Sequence, residues 1–153
     1  MTTNFALKPE SVAILNAASK SDILHQLAQV FAKAWELNAA LVLDHLEERE
    51  KLGSTGFGRG VAIPHARIPG IRRPIVAVIK LERPVDFGAA DGLPVDLVIG
   101  LLSPEQSGAA HLQALAAASR LVRDERMHDA LVDAPNAEAI YSLITNVTDR
   151  DAA

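Results

Sequence analysis

The sequence predicts an α/β or α+β domain in which helices cover a sheet. Apolar residues recur at helical spacing towards both ends of the chain, and apolar runs rich in β-branched residues occupy its middle. A length of 153 residues suits one domain, and no internal repeat or linker interrupts the sequence. We therefore expect a single domain over residues 1–153, with an aliphatic core because only 4% of the residues are aromatic.

The composition argues against several classes of function. A net charge of −4 without a polybasic segment argues against binding to nucleic acid or to an anionic membrane surface. The absence of cysteine excludes disulfides and thiolate metal sites, and it suits a reducing compartment. The sequence has no signal-peptide pattern at Met1–Asn4 and no apolar run near the ~20 residues of a membrane helix. We therefore expect a soluble cytoplasmic protein with no membrane insertion.

The first third of the chain carries one strand pattern and two helix patterns. Val12–Leu15 has the apolar character of a short strand. Ser21 is predicted to cap a helix that extends to Trp35. Asn38 is predicted to cap a second helix, which Gly53 ends.

The middle and the last third continue the pattern. Turn residues separate three apolar runs that predict strands, at Gly60–Ile63, Ile75–Ile79 and Val95–Leu102. Three more helices are predicted after them, beginning near Gly108, Asp124 and Asn136.

A glycine-rich loop, residues 53–60, precedes the first of these middle strands. Its glycines allow backbone amides to approach a ligand, which predicts an anion-binding loop. A P-loop is excluded because Gly58 is followed by Arg59 and Gly60, and a dinucleotide-binding loop is excluded because this loop follows a helix and enters a strand. On composition alone, a flexible connector is the more common interpretation of such a segment.

His65 changes that interpretation, because it follows Pro64 at the end of a predicted strand beside this loop. An imidazole there can act as a base, a metal ligand or a nucleophile toward phosphorus. Arg49 closes the preceding helix, where its charge can bind phosphoryl oxygens and keep His65 neutral. His111, at the start of a later helix, can also meet an anion. His45 shares a helix face with Arg49, but we expect it to be structural.

Several motifs together resemble a known phosphorylation signature. They are Glu48-Arg49-Glu50, Gly53-Ser54-Thr55-Gly56, Gly60–His65, Pro94–Val98, Leu101–Pro104 and His111–Leu115. In this order they resemble the enzyme IIA domains of the phosphotransferase system, type 2, the fructose/mannitol class. The similarity covers roughly residues 15–143. The segments Ile68-Pro69-Gly70 and Asp86–Gly92 most resemble the nitrogen-regulatory IIA branch, whereas Ala66-Arg67 departs from its common Gly-Lys.

The resemblance carries expectations about fold and site. It implies a single-domain α/β/α sandwich with a mixed sheet of about five strands and a histidine at the sheet edge. It implies that His65 accepts a phosphoryl group from the phosphohistidine of an HPr-like phosphocarrier protein. By position, Arg49 would neutralise the phosphate, His111 would donate a hydrogen bond to it, and Ser54 and Thr55 would line the pocket. No metal or other cofactor is implied.

Four functions remain open on the sequence. The branch-like residues favour a nitrogen-regulatory phosphocarrier that acts by protein–protein contacts, for example with potassium transporters or sensor kinases. The alternative with the same chemistry is a sugar-transport IIA component that passes phosphate to a IIB domain. A non-catalytic anion-binding module would bind phosphate without a covalent adduct. A metal-dependent hydrolase built on His65 and His111 would need a third ligand, which the spacing does not supply.

Overall fold

A mixed sheet runs through the centre of the protein, with helices on both of its faces. The structure is a computed structural model that describes residues 4–152. These residues form six strands and five helices. In chain order the elements are β1 (Ala6–Leu15), α1 (Lys20–Trp35), α2 (Ala39–Lys51), β2 (Gly56–Gly58), β3 (Val61–Ala62), β4 (His65–Ile68), β5 (Ile75–Val85), β6 (Val95–Pro104), α3 (Ala109–Arg123), α4 (Glu125–Asp133) and α5 (Ala137–Ala152).

The strands lie in the order β1-β5-β6-β3-β2, and β4 also pairs with β6. β1 is parallel to β5, β5 is antiparallel to β6, and β3 and β4 are both parallel to β6. β3 and β4 keep one register along β6, with Val61 opposite Leu97 and His65 opposite Leu101. The two short strands therefore share one position in the sheet. Among the described strands β4 pairs with β6 alone, so it lies at a sheet edge.

Two apolar clusters hold the helices against the sheet. Side chains alternate between its faces, so along β5 Ile75, Ala77 and Ile79 face α1 and α2, while Val76 and Val78 face α3 and α5. Both clusters consist mainly of Leu, Ile, Val and Ala, as the composition predicts. The predicted α/β sandwich with a mixed sheet is confirmed. Within the described residues no helix is both long and apolar enough to cross a bilayer.

The predicted cap of α1 is wrong by two residues. The helix begins at Lys20, and its N-cap is Ser19, whose hydroxyl accepts a hydrogen bond from the Asp22 N–H. The Asp22 carboxylate in turn accepts from the N–H of Ala18. This reciprocal arrangement needs an acidic residue three positions after the cap, which Ser19 has and Ser21 lacks. The predicted caps Asn38, Asp124 and Asn136 are confirmed.

Three strands are longer than the sequence patterns predict, β6 by only two residues, to Pro104. β1 begins at Ala6, and its register along β5 shifts between Leu7 and Val12, where Ser11 bonds back to Lys8. β5 continues to Val85 through an irregular end that includes Pro84. A proline is tolerated in such a place because the ladder there needs no N–H from it. These irregular segments lie outside the apolar runs on which the prediction relied.

Candidate functional site

An open cavity of about 330 Å³ lies where the end of α2, strand β4 and the first turn of α3 meet. Three histidines and two arginines line it, together with one exposed leucine, Leu52. The lining residues are His45, Glu48, Arg49, Leu52, His65, Ala66, Arg67 and His111. Three of the predicted site residues, Arg49, His65 and His111, are thus brought together from separate parts of the chain.

The break between β3 and β4 presents His65 to this cavity. Pro64 has no N–H, but its carbonyl accepts a hydrogen bond from the Leu101 N–H at 2.9 Å, so the register along β6 is kept. The N–H of Ile63 turns away from β6 and donates to the Thr55 carbonyl at 3.0 Å. His65 therefore begins β4, rather than following the last strand residue as predicted.

The same break decides which nitrogen of His65 carries the proton. Nδ1 of His65 lies 2.8 Å from the Ile63 carbonyl oxygen. A carbonyl can only accept, so Nδ1 is the donor, and the neutral ring has its free lone pair on Nε2. Nε2 is the nitrogen that is left for a reaction.

His111 lies beside His65 and is far less exposed. The two ring centroids are 5.8 Å apart and the planes are tilted by 45°. Only 5% of His111 is exposed, and its Nδ1 lies 2.7 Å from the buried Ser103 hydroxyl on β6. A serine hydroxyl can donate to Nδ1, and the His111 proton then lies on Nε2.

Burial and positive charge keep both rings neutral. Burial is the main cause that lowers the pKa of His65, and the charges of Arg49 and Arg67 lower it further, against the Ile63 hydrogen bond and the charge of Glu50. Burial, followed by Arg67 and His65, lowers the pKa of His111 to about 4. At neutral pH the cavity is thus lined by the uncharged imidazoles of His65 and His111 and by the guanidinium groups of Arg49 and Arg67.

These charges lead to a first prediction. In an Arg67→Met variant we expect the pKa values of both His65 and His111 to rise, because the Arg67 charge lowers both. An Arg49→Met variant should raise the pKa of His65 alone. NMR titration of the ring signals measures both values. Arg83→Met, an exposed change on β5, is the matched control, and equal titration curves in all four proteins would refute the charge assignment.

Ser54 and Thr55 are not among the residues that line the cavity. The Ser54 hydroxyl donates to the Phe87 carbonyl at 3.2 Å and accepts from the Gly56 N–H at 3.1 Å. The Thr55 hydroxyl donates to the Glu50 carboxylate. Both hydroxyls thus bind groups of the protein itself in this structure.

The glycine loop does not offer the expected set of free amides. The N–H of Gly53 donates to the Glu50 carbonyl, that of Thr55 to the Glu50 carboxylate, and that of Arg59 to Asp91. Gly56 has a different function, because a Cβ there would lie 2.8 Å from Ala89. The glycine thus allows the loop to pack closely against residues 86–92. The polar groups that line the cavity from the residues named above are therefore chiefly side chains, and Ser54 to Gly60 do not line it.

A comparison with models of protein families identifies the family of this chain. The family model described as "Phosphoenolpyruvate-dependent sugar phosphotransferase system, EIIA 2" matches residues 5–147. The chain belongs to this family.

Curated relatives and a solved structure agree with this membership. The nitrogen regulatory protein of Pseudomonas aeruginosa is 43% identical over 138 residues, which cover 90% of this chain and 90% of the relative. That of Bradyrhizobium diazoefficiens is 43% identical over 137 residues, 89% of this chain and 90% of the relative. The crystal structure of nitrogen regulatory protein IIA-Ntr from Neisseria meningitidis superposes with a TM-score of 0.83 at 33% identity, covering 90% of this chain and 94% of that chain.

Part of the cavity of this EIIA domain was not predicted from the sequence. Arg67 was noted only as a departure from a motif, although its position two residues after His65 on β4 was a signal, since alternate strand residues share a face. His45 and Glu48 line the cavity from the same helix as Arg49. They lie four residues and one residue before Arg49, so the sequence shows that they are near it. Among the described residues, no group of three potential ligands is arranged to hold a metal ion.

Proposed function

We propose that this EIIA domain is a phosphohistidine carrier in nitrogen-regulatory signalling, with His65 as the phosphoryl acceptor. The observation that carries the proposal is the hydrogen bond from Nδ1 of His65 to the Ile63 carbonyl at 2.8 Å. It leaves the Nε2 lone pair of a neutral ring beside Arg49 and Arg67. A neutral imidazole with one unprotonated nitrogen is a nucleophile, and adjacent cations attract a phosphoryl group.

The transfer is a displacement at phosphorus. The Nε2 lone pair of His65 attacks the phosphorus of a phosphohistidine on an HPr-like phosphocarrier protein, and a new N–P bond forms. The N–P bond of the donor breaks, and its electron pair returns to the nitrogen of the donor's ring. The Nδ1 proton stays on His65, where the Ile63 carbonyl stabilises the positive charge that the ring acquires.

The neighbouring side chains supply positioning and charge. Arg49 uses one Nη1 hydrogen to bind the Gly53 carbonyl at 2.9 Å, and its other donors remain for phosphoryl oxygens. His111, with its proton on Nε2, donates a further hydrogen bond to the phosphoryl group. Transfer between two imidazoles needs little other chemistry from the protein, so these groups suffice. We leave Ser54 and Thr55 out of the direct contacts because both hydroxyls are engaged elsewhere.

The regulatory role rests on the relatives. Proteins called nitrogen regulatory protein match this chain at 43% identity over about nine-tenths of their length. A phosphoryl group on His65 adds negative charge at an open cavity, which can create or block a protein contact. We expect the exchange to occur in the cytoplasm, with regulated proteins such as potassium transporters or sensor kinases as targets.

The test of the carrier chemistry uses the unmodified protein. After incubation with a phosphorylated HPr-like donor, we expect the intact mass to rise by one phosphoryl group and the adduct to be acid-labile. NMR of ring nitrogens labelled with ¹⁵N should assign the adduct to Nε2 of His65. Binding of phosphate without a mass change would favour the anion-binding module, and an adduct on Nδ1 would contradict the proposed geometry.

The sugar-transport alternative has its own test. The phosphorylated protein is mixed with a fructose- or mannitol-type IIB domain, and the loss of phosphate from His65 is followed. We expect the phosphoryl group to stay on His65 for as long as its exchange between His65 and the HPr-like donor takes to reach equilibrium. Rapid passage to the IIB domain would favour sugar transport over regulation.

A further inference from the structure

Glu50 lies next to Arg49 in the chain, but it points away from the cavity into the protein. Its side chain is only 6% exposed. Lys20 Nζ of α1 lies 2.7 Å from Oε2, and the Thr55 N–H donates to the same oxygen at 3.1 Å. The Thr55 hydroxyl donates to Oε1. A buried carboxylate is destabilising unless donors compensate its charge. The loss of any of these three donors would be costly, so the carboxylate fixes the positions of Lys20 and Thr55.

A chain of hydrogen bonds leads from this carboxylate to the ring of His65. Thr55, held by Glu50, uses its carbonyl to accept the N–H of Ile63 at 3.0 Å. The carbonyl of the same residue, Ile63, accepts the Nδ1 proton of His65 at 2.8 Å. Ile63 can serve both partners because it faces the β2 side of β3, whereas the carbonyls of Gly60 and Pro64 face β6.

Lys20 connects the same loop to its neighbour. Its ammonium group lies 4.6 Å from the centre of the Phe87 ring, and the Phe87 carbonyl accepts the Ser54 hydroxyl. The loop is therefore fixed at Ser54 through Phe87 and at Thr55 through Glu50. Arg49 adds a third attachment at the Gly53 carbonyl.

We propose that Glu50, with Lys20 and Thr55, is a positioning residue that holds the backbone of Ile63 and thereby the orientation and tautomer of His65. Two adjacent residues at the end of α2 then have separate functions. Arg49 faces the phosphoryl group, whereas Glu50 fixes the loop behind the acceptor. Thr55 acts through Glu50 rather than by contact with phosphate. The expected effect on the rate of phosphoryl transfer rests on the function proposed above. The expected effect on the pKa and tautomer of unphosphorylated His65 does not.

The first test examines His65 in the unphosphorylated protein. In Glu50→Gln we expect the pKa of His65 to fall, because the Glu50 charge raises it against Arg49, Arg67 and burial. In Thr55→Val we expect a mixture of His65 tautomers, seen in the ¹⁵N shifts, because Thr55 no longer holds Glu50 by its hydroxyl. Thr55→Ser keeps the hydroxyl and should keep the Nδ1–H tautomer. Asp44→Asn, an exposed change on α2, is the charge control.

The second test measures transfer from the phosphorylated donor. Thr55→Val is expected to lower kcat about tenfold with little change in KM, because misalignment of the acceptor affects the reaction and not the docking of the donor. Thr55→Ser and Asp44→Asn should transfer at the rate of the unmodified protein.

The outcomes separate the two proposals. If the unmodified protein takes up no phosphate, the proposed function is wrong. The titration and the tautomer measurement still test whether Glu50 positions His65, because neither needs phosphate. If Thr55→Val folds and keeps the original tautomer and kcat, the positioning proposal is wrong. It is also wrong if Thr55→Ser loses as much kcat as Thr55→Val. If Glu50→Gln unfolds, the comparison of Thr55→Val with Thr55→Ser tests the positioning proposal by itself.

Discussion

A His65→Ala variant is expected to take up no phosphoryl group from the donor that labels the unmodified protein. Nε2 of His65 is the only nucleophile that the proposed transfer uses, and alanine has no nitrogen to replace it. His111 should not take its place, because its ring is buried and its Nδ1 is engaged with Ser103. The loss should therefore be complete, and intact mass measurement detects it directly.

Two controls make this result specific. His25→Ala removes an exposed histidine of α1 that lies outside the cavity, and it should accept phosphate at the original rate. His111→Gln should still accept phosphate, but about a hundredfold more slowly, as is typical when one donor to a transferring group is lost. An acid-labile label that persists in a folded His65→Ala protein would refute the assignment of the acceptor.

The free energy of unfolding is expected to fall by about 3 kcal/mol between pH 7 and pH 4 through His111 alone. Folding lowers the pKa of His111 from 6.5 to about 4, because the buried ring resists protonation. Below pH 6.5 the unfolded chain binds a proton at His111 that the folded protein does not, so acid favours unfolding. Below about pH 4 both states bind it, and no further loss arises from this residue.

Denaturant unfolding at a series of pH values measures this contribution. His111→Gln removes the titrating ring and keeps a polar side chain next to Ser103, so its stability should depend less steeply on pH than that of the unmodified protein. The carboxylates titrate in both proteins and cancel in the difference. If His111→Gln and the unmodified protein lose the same free energy between pH 7 and pH 4, the ring is not held neutral by burial.

Local signals in the sequence predicted most of the elements. Asn38, Asp124 and Asn136 were recognised as caps because a capping side chain bonds to backbone amides only two or three residues away. Two of the errors, the cap of α1 and the length of β1, arose where the local pattern was ambiguous. Ser19 and Ser21 both flank Lys20, and the polar residues that end at Ser11 precede the apolar run Val12–Leu15. Boundaries of this kind depend on which hydrogen bonds the folded chain completes.

Of the five residues predicted for the site, three line the cavity and two do not. Arg49, His65 and His111 were predicted as site residues because charged and imidazole side chains beside a glycine loop suit an anion, and because their motifs resemble those of a family. The structure places all three at one cavity, and their roles stay a prediction. The assignment of Ser54 and Thr55 to the pocket followed the same resemblance. A hydroxyl can bind a ligand or a neighbouring protein group equally well, so sequence position alone could not choose between them.

The sequence by itself determined the aliphatic α/β sandwich and the set of groups available for phosphoryl transfer, because periodicity and residue chemistry are properties of the chain. Only the tertiary structure decided how those groups are arranged. It brings His111 to His65, adds Arg67 to the cavity, and turns Glu50 inward toward Lys20. It also leaves Nε2 of His65 unprotonated, because the break at Pro64 brings the Ile63 carbonyl to Nδ1. Tautomer, burial and charge all depend on distances between segments that are far apart in the chain.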